Sequence, residues 1–245
     1  SPKLITGGGD NKVRVWHLNF DQDHKTKIET IDILSSLTQH EQAINVVRFN
    51  SKGDVLASAG DDGQLLLWKQ SEAKEKKFGE DEADLDEFNE SWAVWKRFRS
   101  RGSGIGAYEI YDIAWSPNDD YIVTGSMDNA VRVFEVSTGE CVASACDHSH
   151  YVQGVAWDPL DKYILSQSAD RSVHVYEIVR ESPDNESLQL KLKNKMMKCE
   201  LPVSRKEENR LDLKNTKLSF IFHNETLPSF FRRPAISPCG KLICV

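Results

Sequence analysis

The sequence predicts an all-β fold assembled from repeated units, and two observations support that prediction. In four segments a Ser or Thr lies four residues before an Asp, and an aromatic residue lies six residues after that Asp. The four segments are residues 6–16, 58–68, 124–134 and 166–176. Between the Asp and the aromatic residue the apolar side chains alternate, as Val13 and Val15 do, which is the period of a strand entered from a tight turn.

Each unit also has an upstream half. Short apolar strands are predicted at 47–49, 113–115 and 155–157, each followed by a turn and by the strand that carries the Ser or Thr. The same strand, turn and strand pattern starts again at 234–245. The marker Asp residues are 52, 66 and 42 residues apart. The shortest interval is close to one four-stranded blade and the longer two hold insertions, so the repeat predicts a propeller in which each four-stranded sheet is one blade.

We expect a single propeller domain over residues 1–245, seven-bladed when complete and represented here by about four to five blades. The chain begins and ends in the second strand of a blade, so a closed ring would need more blades. Insertions are expected at 71–91 and 180–217. We interpret both as surface loops, the second around an alternating strand at Leu188, Leu190 and Leu192.

The repeat also predicts buried hydrogen-bond networks, in which an indole or phenol donates and a carboxylate accepts. The complete sets are His40, Ser58, Asp62 and Trp68, and His148, Ser166, Asp170 and Tyr176. The partial sets are Thr6, Asp10 and Trp16 in the first unit, and Thr124 and Asp128 in the third, where Gly106 and Phe134 replace the His and the aromatic donor. Repetition at fixed spacing favours a structural role over a catalytic one.

Composition argues against several other kinds of site. No apolar run approaches the ~18 residues of a membrane span, and a net charge of -7 disfavours a dominant nucleic-acid surface. The five Cys form no CxxC pair, which indicates neither a zinc site nor a disulfide framework and fits a reducing compartment. The Gly-rich segment 102–106 lacks the ending of a phosphate loop, and His148 and His150 have no further ligand cluster. We therefore expect no catalytic residue, cofactor or metal.

Two stretches resemble a known family. They read His-Tyr-Val-Gln-Gly-Val-Ala-Trp-Asp-Pro-Leu at 150–160 and Ser-Phe-Phe-Arg-Arg-Pro at 229–234. With the opening segment 7–16 and the acidic insertion before Trp92, they make the chain resemble the WD-repeat middle subunit of chromatin assembly factor 1, and more distantly the related subunit of the histone-regulator complex. The resemblance implies a nuclear, non-enzymatic subunit of a histone chaperone that deposits histones three and four on newly replicated DNA.

The same resemblance implies the partners. They are the large and small subunits of chromatin assembly factor 1, histones three and four, bound directly or through the complex, and a second histone chaperone that binds a tail absent from this chain. Direct DNA binding and membrane binding are not expected. Two alternatives stay open: a subunit of the replication-independent histone-regulator complex, and a substrate receptor of a ubiquitin ligase, which would share the fold.

Two clusters are candidate partner-binding sites. The first is acidic and suits a basic partner, although a solvated loop is the alternative: Glu80, Asp81, Glu82, Asp84, Asp86 and Glu87. The second has the aromatic and arginine composition of an interface hot spot: Phe230, Phe231, Arg232 and Arg233. The alternative for the second cluster is burial between blades, and the exposure of its side chains distinguishes the two.

Overall fold

Antiparallel β-sheets make up the regular structure of the described residues. The structure is a computed structural model, and it describes residues 2–21, 26–71, 90–99, 108–182, 185–205, 210–223 and 231–245. Within them, no helix is long and apolar enough to cross a membrane.

The strands follow one another as blades. Blade 1 holds β1 (Lys3–Gly7), β2 (Val13–Phe20) and β3 (Ile28–Leu37), and blade 2 holds β4 (Ile44–Phe49), β5 (Val55–Gly60), β6 (Gln64–Ser71) and β7 (Ser91–Arg99). Blade 3 holds β8 (Ile110–Trp115), β9 (Tyr121–Ser126), β10 (Val131–Glu135) and β11 (Cys141–Ala145). Blade 4 holds β12 (Val152–Trp157), β13 (Tyr163–Ser168), β14 (Val173–Ser182) and β15 (Asn185–Met196). A two-stranded ribbon of β16 (Lys198–Arg205) and β17 (Arg210–Phe220) precedes a fifth start, β18 (Ala235–Ile236) and β19 (Ile243–Cys244).

The Asp that marks each unit forms a tight turn. The residue after it has a positive φ in all four units: Asn11 (63°), Gly63 (65°), Asn129 (65°) and Arg171 (69°). Asn and Gly tolerate this conformation, whereas an Arg rarely adopts it. Arg171 is held there by its guanidinium, whose Nε and Nη2 atoms donate to the Phe222 carbonyl at 3.2 and 3.1 Å.

Bulges recur at two positions of the blades and re-aim the residue that they leave unpaired. Between the first and second strands, the unpaired residues are Asn45, Tyr111 and Gln153. Between the third and fourth strands they are Leu34, Trp95, Val142 and Lys193. The recurrence shows that the bulges belong to the repeat.

The core lies between neighbouring blades, because the inner strands of blades 2, 3 and 4 are buried on both faces. Val15, Leu66 and Trp92 belong to a cluster shared by blades 1 and 2, and Leu67 packs in another with Phe134 of blade 3. The first strands β4, β8 and β12 contact one another in turn, and β12 contacts β18. The blades are therefore arranged about a common axis lined by their first strands, which confirms the predicted all-β propeller.

The segment 180–217 differs from its predicted form, a long surface loop. Its first part is β15, which pairs with β14 in a register that includes Tyr176 with Leu192 and Ile178 with Leu190. The alternating leucines thus extend the outer strand of blade 4, and Leu188 is only 3% exposed. The alternating strand predicted at Leu188, Leu190 and Leu192 is therefore present. The described residues around it are also paired strands, which satisfies the backbone polar groups that a loop would leave to solvent.

Candidate functional site

The predicted set in blade 2 forms one chain of hydrogen bonds. Trp68 Nε1 donates to Ser58 Oγ at 2.8 Å, Ser58 Oγ lies 2.7 Å from His40 Nε2, and His40 Nδ1 lies 2.8 Å from Asp62 Oδ2. Every donor finds an acceptor if His40 is neutral with its proton on Nδ1. Burial favours the protonated form of Asp62, but hydrogen bonds from His40 and from the Gln64 amide outweigh it and lower the pKa of this carboxyl.

This geometry matches that of a serine nucleophile, a histidine base and an orienting carboxylate. Access decides against such a role. Ser58 and Ser166 are both 0% exposed, and Ser58 Oγ also accepts the indole proton of Trp68. A hydroxyl that no substrate carbonyl can reach cannot act as a nucleophile, so burial favours a structural role for these sets.

Blade 4 repeats the network with one addition. His148 lies 3.0 Å from Asp170 through Nδ1 and 2.7 Å from Ser166 through Nε2. His174, which no sequence pattern singled out, stacks on His148 with ring centroids 3.7 Å apart and planes 9° from parallel. Its Nδ1 lies 3.1 Å from the Tyr176 hydroxyl. Burial, with a smaller contribution from His148, lowers the pKa of His174 to about 4, so this ring is neutral at pH 7.

His148, Asp170 and His174 also have ligand atoms within 4.8 Å of one another, which raises the question of a metal site. Two parallel stacked rings project their nitrogens in parallel planes, so these nitrogens do not converge on one ion. Both nitrogens of His148 are also engaged, by Asp170 and Ser166. The arrangement therefore fits a hydrogen-bonded stack better than a metal centre.

In units 1 and 3 the marker Asp has other partners than the network predicted, because it pairs with an Arg. Asp128 pairs with Arg132 and accepts from Ser126 at 2.5 Å, while the Thr124 hydroxyl has no hydrogen-bond partner among the described residues. The structure thus does not bring Thr124 and Asp128 together. In unit 1 the Trp16 indole donates to Thr6 at 2.9 Å, but Asp10 is exposed and pairs with Arg14.

A sequence signal for this difference exists. The fourth residue after the marker Asp is Arg14, Leu66, Arg132 and His174 in the four units. In units 1 and 3, where no His contacts the Asp in the described residues, that position is an Arg that supplies the counter-charge.

A polar cluster lies at the propeller axis. It forms around one position of the repeat, three residues before the end of each first strand. The residues at this position are Val46, Asp112, Gly154 and Arg233. Asp112 is fully buried, and its Oδ2 accepts the Val155 amide at 3.1 Å. Its Oδ1 has no hydrogen bond among the described residues and lies 3.4 Å from Arg233 Nε and 3.7 Å from Arg48 Nη2. Burial raises the pKa of Asp112 to about 6 against the opposing effect of both Arg.

The structure separates two members of the predicted Phe230 to Arg233 cluster, because Arg233 and Arg232 contact different parts of the propeller. Arg233 reaches blade 2, where its Nη2 donates to the Asn45 carbonyl at 2.7 Å, and its guanidinium lies 5.1 Å from the Phe231 ring centroid. Arg232 points elsewhere, with its guanidinium 5.8 Å from the ring of Phe222. Phe231 is 42% exposed, and Phe230 lies outside the described residues.

An aromatic group continues from Phe231. Its ring meets Tyr111 edge-on at 6.2 Å, and Tyr111 in turn lies 5.5 Å from Tyr151. Tyr111 is a bulge residue of blade 3, and no signal in the sequence placed it beside Phe231. The axis therefore combines exposed aromatic surface with an arginine that is itself 38% exposed, which is the composition of a protein interface hot spot.

The acidic candidates, residues 80–82, 84, 86 and 87, lie outside the described residues. The described end of that insertion is Glu90, which pairs with Lys3 of β1 at 2.7 Å and accepts from the Trp92 indole at 3.2 Å. Glu90 thus ties the start of β7 to blade 1.

Four-stranded antiparallel sheets about a common axis, with a buried His, Ser, Asp and Trp chain inside a blade, define a β-propeller of the WD-repeat class. A family model, the CAF1B/HIR1 beta-propeller domain, matches residues 1–245, and the chain belongs to this family.

Similar proteins carry related names. The chain is 54% identical, over 99% of its length, to the B subunit of chromatin assembly factor 1 from Saccharomyces cerevisiae, and 39% identical, over 98%, to that of Schizosaccharomyces pombe. It is 32% identical, over 62% of its length, to Protein HIR1 of Yarrowia lipolytica, of which it covers 15%. The chain spans 53% and 55% of the first two proteins, which is about half of their length.

Proposed function

We propose that this chain is a non-enzymatic scaffold of a nuclear histone chaperone complex, which deposits histones three and four on newly replicated DNA. One observation carries the proposal: proteins named as the B subunit of chromatin assembly factor 1 match 98 to 99% of this chain, at up to 54% identity. Residues 150–160 and 229–234 resemble the same family.

The physical form suits a scaffold. The polar groups that resemble catalytic ones are buried between strands, as at Ser58 and Ser166. What the blades offer to partners is rigid surface, and the least generic part of it is the axial cluster around Phe231 and Arg233. We propose this cluster as a contact for the large subunit of the complex.

The other partners follow from the same proposal. They are the small subunit, histones three and four, held directly or through the complex, and a second histone chaperone. The acidic insertion around Glu80 to Glu87 is the candidate histone contact, because carboxylates complement a basic partner.

Co-purification of the full-length protein from nuclei tests the function. We expect recovery of both other chromatin assembly factor 1 subunits and of histones three and four. Recovery of a ubiquitin-ligase adaptor instead would contradict the proposal.

The histone-regulator complex is the second candidate, because HIR1 and HIRA proteins also match the chain at 29 to 32% identity. These matches cover only 58 to 62% of it. The coverage therefore favours the replication-coupled complex. Recovery of histone-regulator subunits with the full-length protein would make the histone-regulator complex the better candidate.

A further inference from the structure

Trp95 occupies the bulge of β7, the outer strand of blade 2. The strand register passes from Trp68 with Val94 to Leu67 with Lys96, which leaves Trp95 unpaired. A bulge of this kind re-aims a side chain, and here it directs a large aromatic ring to a position that is 41% exposed.

The equivalent bulge residues of the other blades are used differently. Leu34 in blade 1 is buried and Val142 in blade 3 is half-buried. Lys193 in blade 4 is exposed and pairs with Glu177 at 2.9 Å. The repeat itself therefore does not require an exposed indole at this position. Trp95 is the one aromatic residue among the four equivalent bulge residues.

Two ammonium groups flank this indole. Lys69 Nζ lies 3.7 Å from the Trp95 ring centroid, and Lys96 Nζ lies 4.9 Å from it. Lys96 is fixed in place because it also donates to the carbonyls of Val136 and Ser137 in blade 3. The two ammonium groups repel each other, and an anion bound between them would offset that repulsion.

The same edge carries further positive charge. Arg97 and Arg99 follow on β7 and both residues are exposed, although Nη1 of Arg97 also donates to Gln64 Oε1 at 2.7 Å. The ion pairs of the described residues include none of these four cations, Lys69, Lys96, Arg97 and Arg99. In a chain with a net charge of -7, the edge is thus a local cationic surface whose charge no carboxylate of the described residues balances at contact distance.

The backbone of β7 adds a second feature. The strand order of blade 2 is β4-β5-β6-β7, so no strand of the described residues pairs with the outer edge of β7 in that sheet. Such an edge accepts an added strand, whose main-chain groups complete the ladder. A peptide can make these hydrogen bonds and a nucleic acid cannot, which favours a protein partner.

We propose that the outer edge of β7 binds an extended acidic segment of a partner protein. The segment places carboxylates on Lys69 and Arg97 and a planar or apolar side chain against Trp95. The inference rests on the scaffold function proposed above, because it describes how one partner of that complex is held.

Photo-crosslinking within the assembled complex tests the site. Trp95 is replaced by the crosslinking amino acid p-benzoylphenylalanine in the full-length protein, and the crosslinked peptides are identified by mass spectrometry. We expect an acidic segment of another subunit. Crosslinks to nucleic acid, to residues 72–89 of the same chain or to a second copy would overturn the proposal, as would the absence of any crosslink.

Affinity measurements give an independent test. Trp95→Ala and Lys69→Glu should each weaken the capture of the crosslinked subunit about tenfold or more, and the loss should shrink as salt is raised. Leu192→Ala and Lys191→Glu are the matched controls, since both residues are exposed on the outer strand of blade 4. If the cations of β7 only protect an exposed edge, Trp95→Ala will capture normally, and the proposal is wrong.

The two proposals fail separately. If chromatin assembly factor 1 subunits co-purify but position 95 does not crosslink, only the docking surface is wrong. If position 95 crosslinks to an acidic segment of some other complex, the scaffold assignment is wrong and the surface stands. Thermal melts of Trp95→Ala must match the parent protein, so that lost capture is not lost folding.

Discussion

Arg233 Nε lies 3.4 Å from Oδ1 of Asp112, although the two residues belong to the fifth and third blade starts and blade 4 stands between them. Blade 4 permits this approach because its equivalent residue is Gly154, which has no side chain to fill the axis. A Cβ built on Gly154 would lie 2.0 Å from the Arg232 carbonyl oxygen. A glycine in one blade thus allows an ion pair between two others.

Gly154→Ala should destabilise the protein by about 1–3 kcal/mol, because the new methyl group forces the segment that carries Arg232 and Arg233 away from β12. Thermal melts measure the effect. Gly9→Ala is the control, since nothing lies within 4 Å of a Cβ at that position. Equal melting temperatures for the two variants would show that the segment before β18 yields without cost.

Asp112→Asn should change how stability depends on pH. The folded pKa of Asp112, about 6, exceeds the unfolded value of about 3.9, so between these values the folded state keeps a proton that the unfolded state has released. This group therefore lowers the free energy of unfolding as pH rises from about 4 to about 6, by about 3 kcal/mol in total, since each pKa unit corresponds to about 1.4 kcal/mol.

Chemical denaturation at several pH values measures the difference. The parent protein should lose stability relative to Asp112→Asn across this window. The contributions of the other carboxylates cancel in this comparison, because both proteins contain them. Parallel pH profiles would mean that Asp112 titrates normally.

Asp62→Ala should cost roughly 1–3 kcal/mol, because His40 and two backbone amides lose a buried acceptor. Asp10→Ala is a matched control in the same position of unit 1, where the carboxylate is exposed and pairs with Arg14. Its cost should stay under about 1 kcal/mol. Thermal melts that show no difference between the two variants would remove Asp62 from the buried network.

Deletion of residues 80–90 should preserve the propeller, because strands β6 and β7 pair from Ser71 with Ser91 inward. Glu90 and its contact with Lys3 are lost, so a deletion of 80–87 serves as the control. If the insertion contacts histones, the histone affinity of the assembled complex falls and depends less on salt. Unchanged affinity would leave a solvated loop as the better interpretation.

The double change of Arg232 and Arg233 to Ala should weaken capture of the large subunit more than it lowers the melting temperature. The single variants should differ. Arg233→Ala should lower the melting temperature more, because it removes the bond to the Asn45 carbonyl and a counter-charge of Asp112. A large stability loss with normal capture by the folded fraction would assign both Arg to the propeller interior.

The sequence alone determined the repeat, and with it the fold. The alternation at Val13 and Val15 and the turn at each marker Asp are local features, so they can be read without knowledge of the neighbouring blades. The spacing also identified His40, Ser58, Asp62 and Trp68 as one set, because these residues recur at fixed positions around the same turn. The alternation at Leu188, Leu190 and Leu192 also predicted the strand there, but it did not show that this strand pairs with β14.

Only the tertiary structure decided which side chains from different blades meet. Asp112, Arg233 and Asn45 lie far apart in the chain, and nothing in their local sequence places them at one axis. The outward aim of Trp95 depends on a bulge, and a one-residue change of register reverses the direction of a strand side chain without altering composition. The repeat fixes the architecture because it is local, whereas the candidate surfaces depend on packing between units that the chain brings together only when it folds.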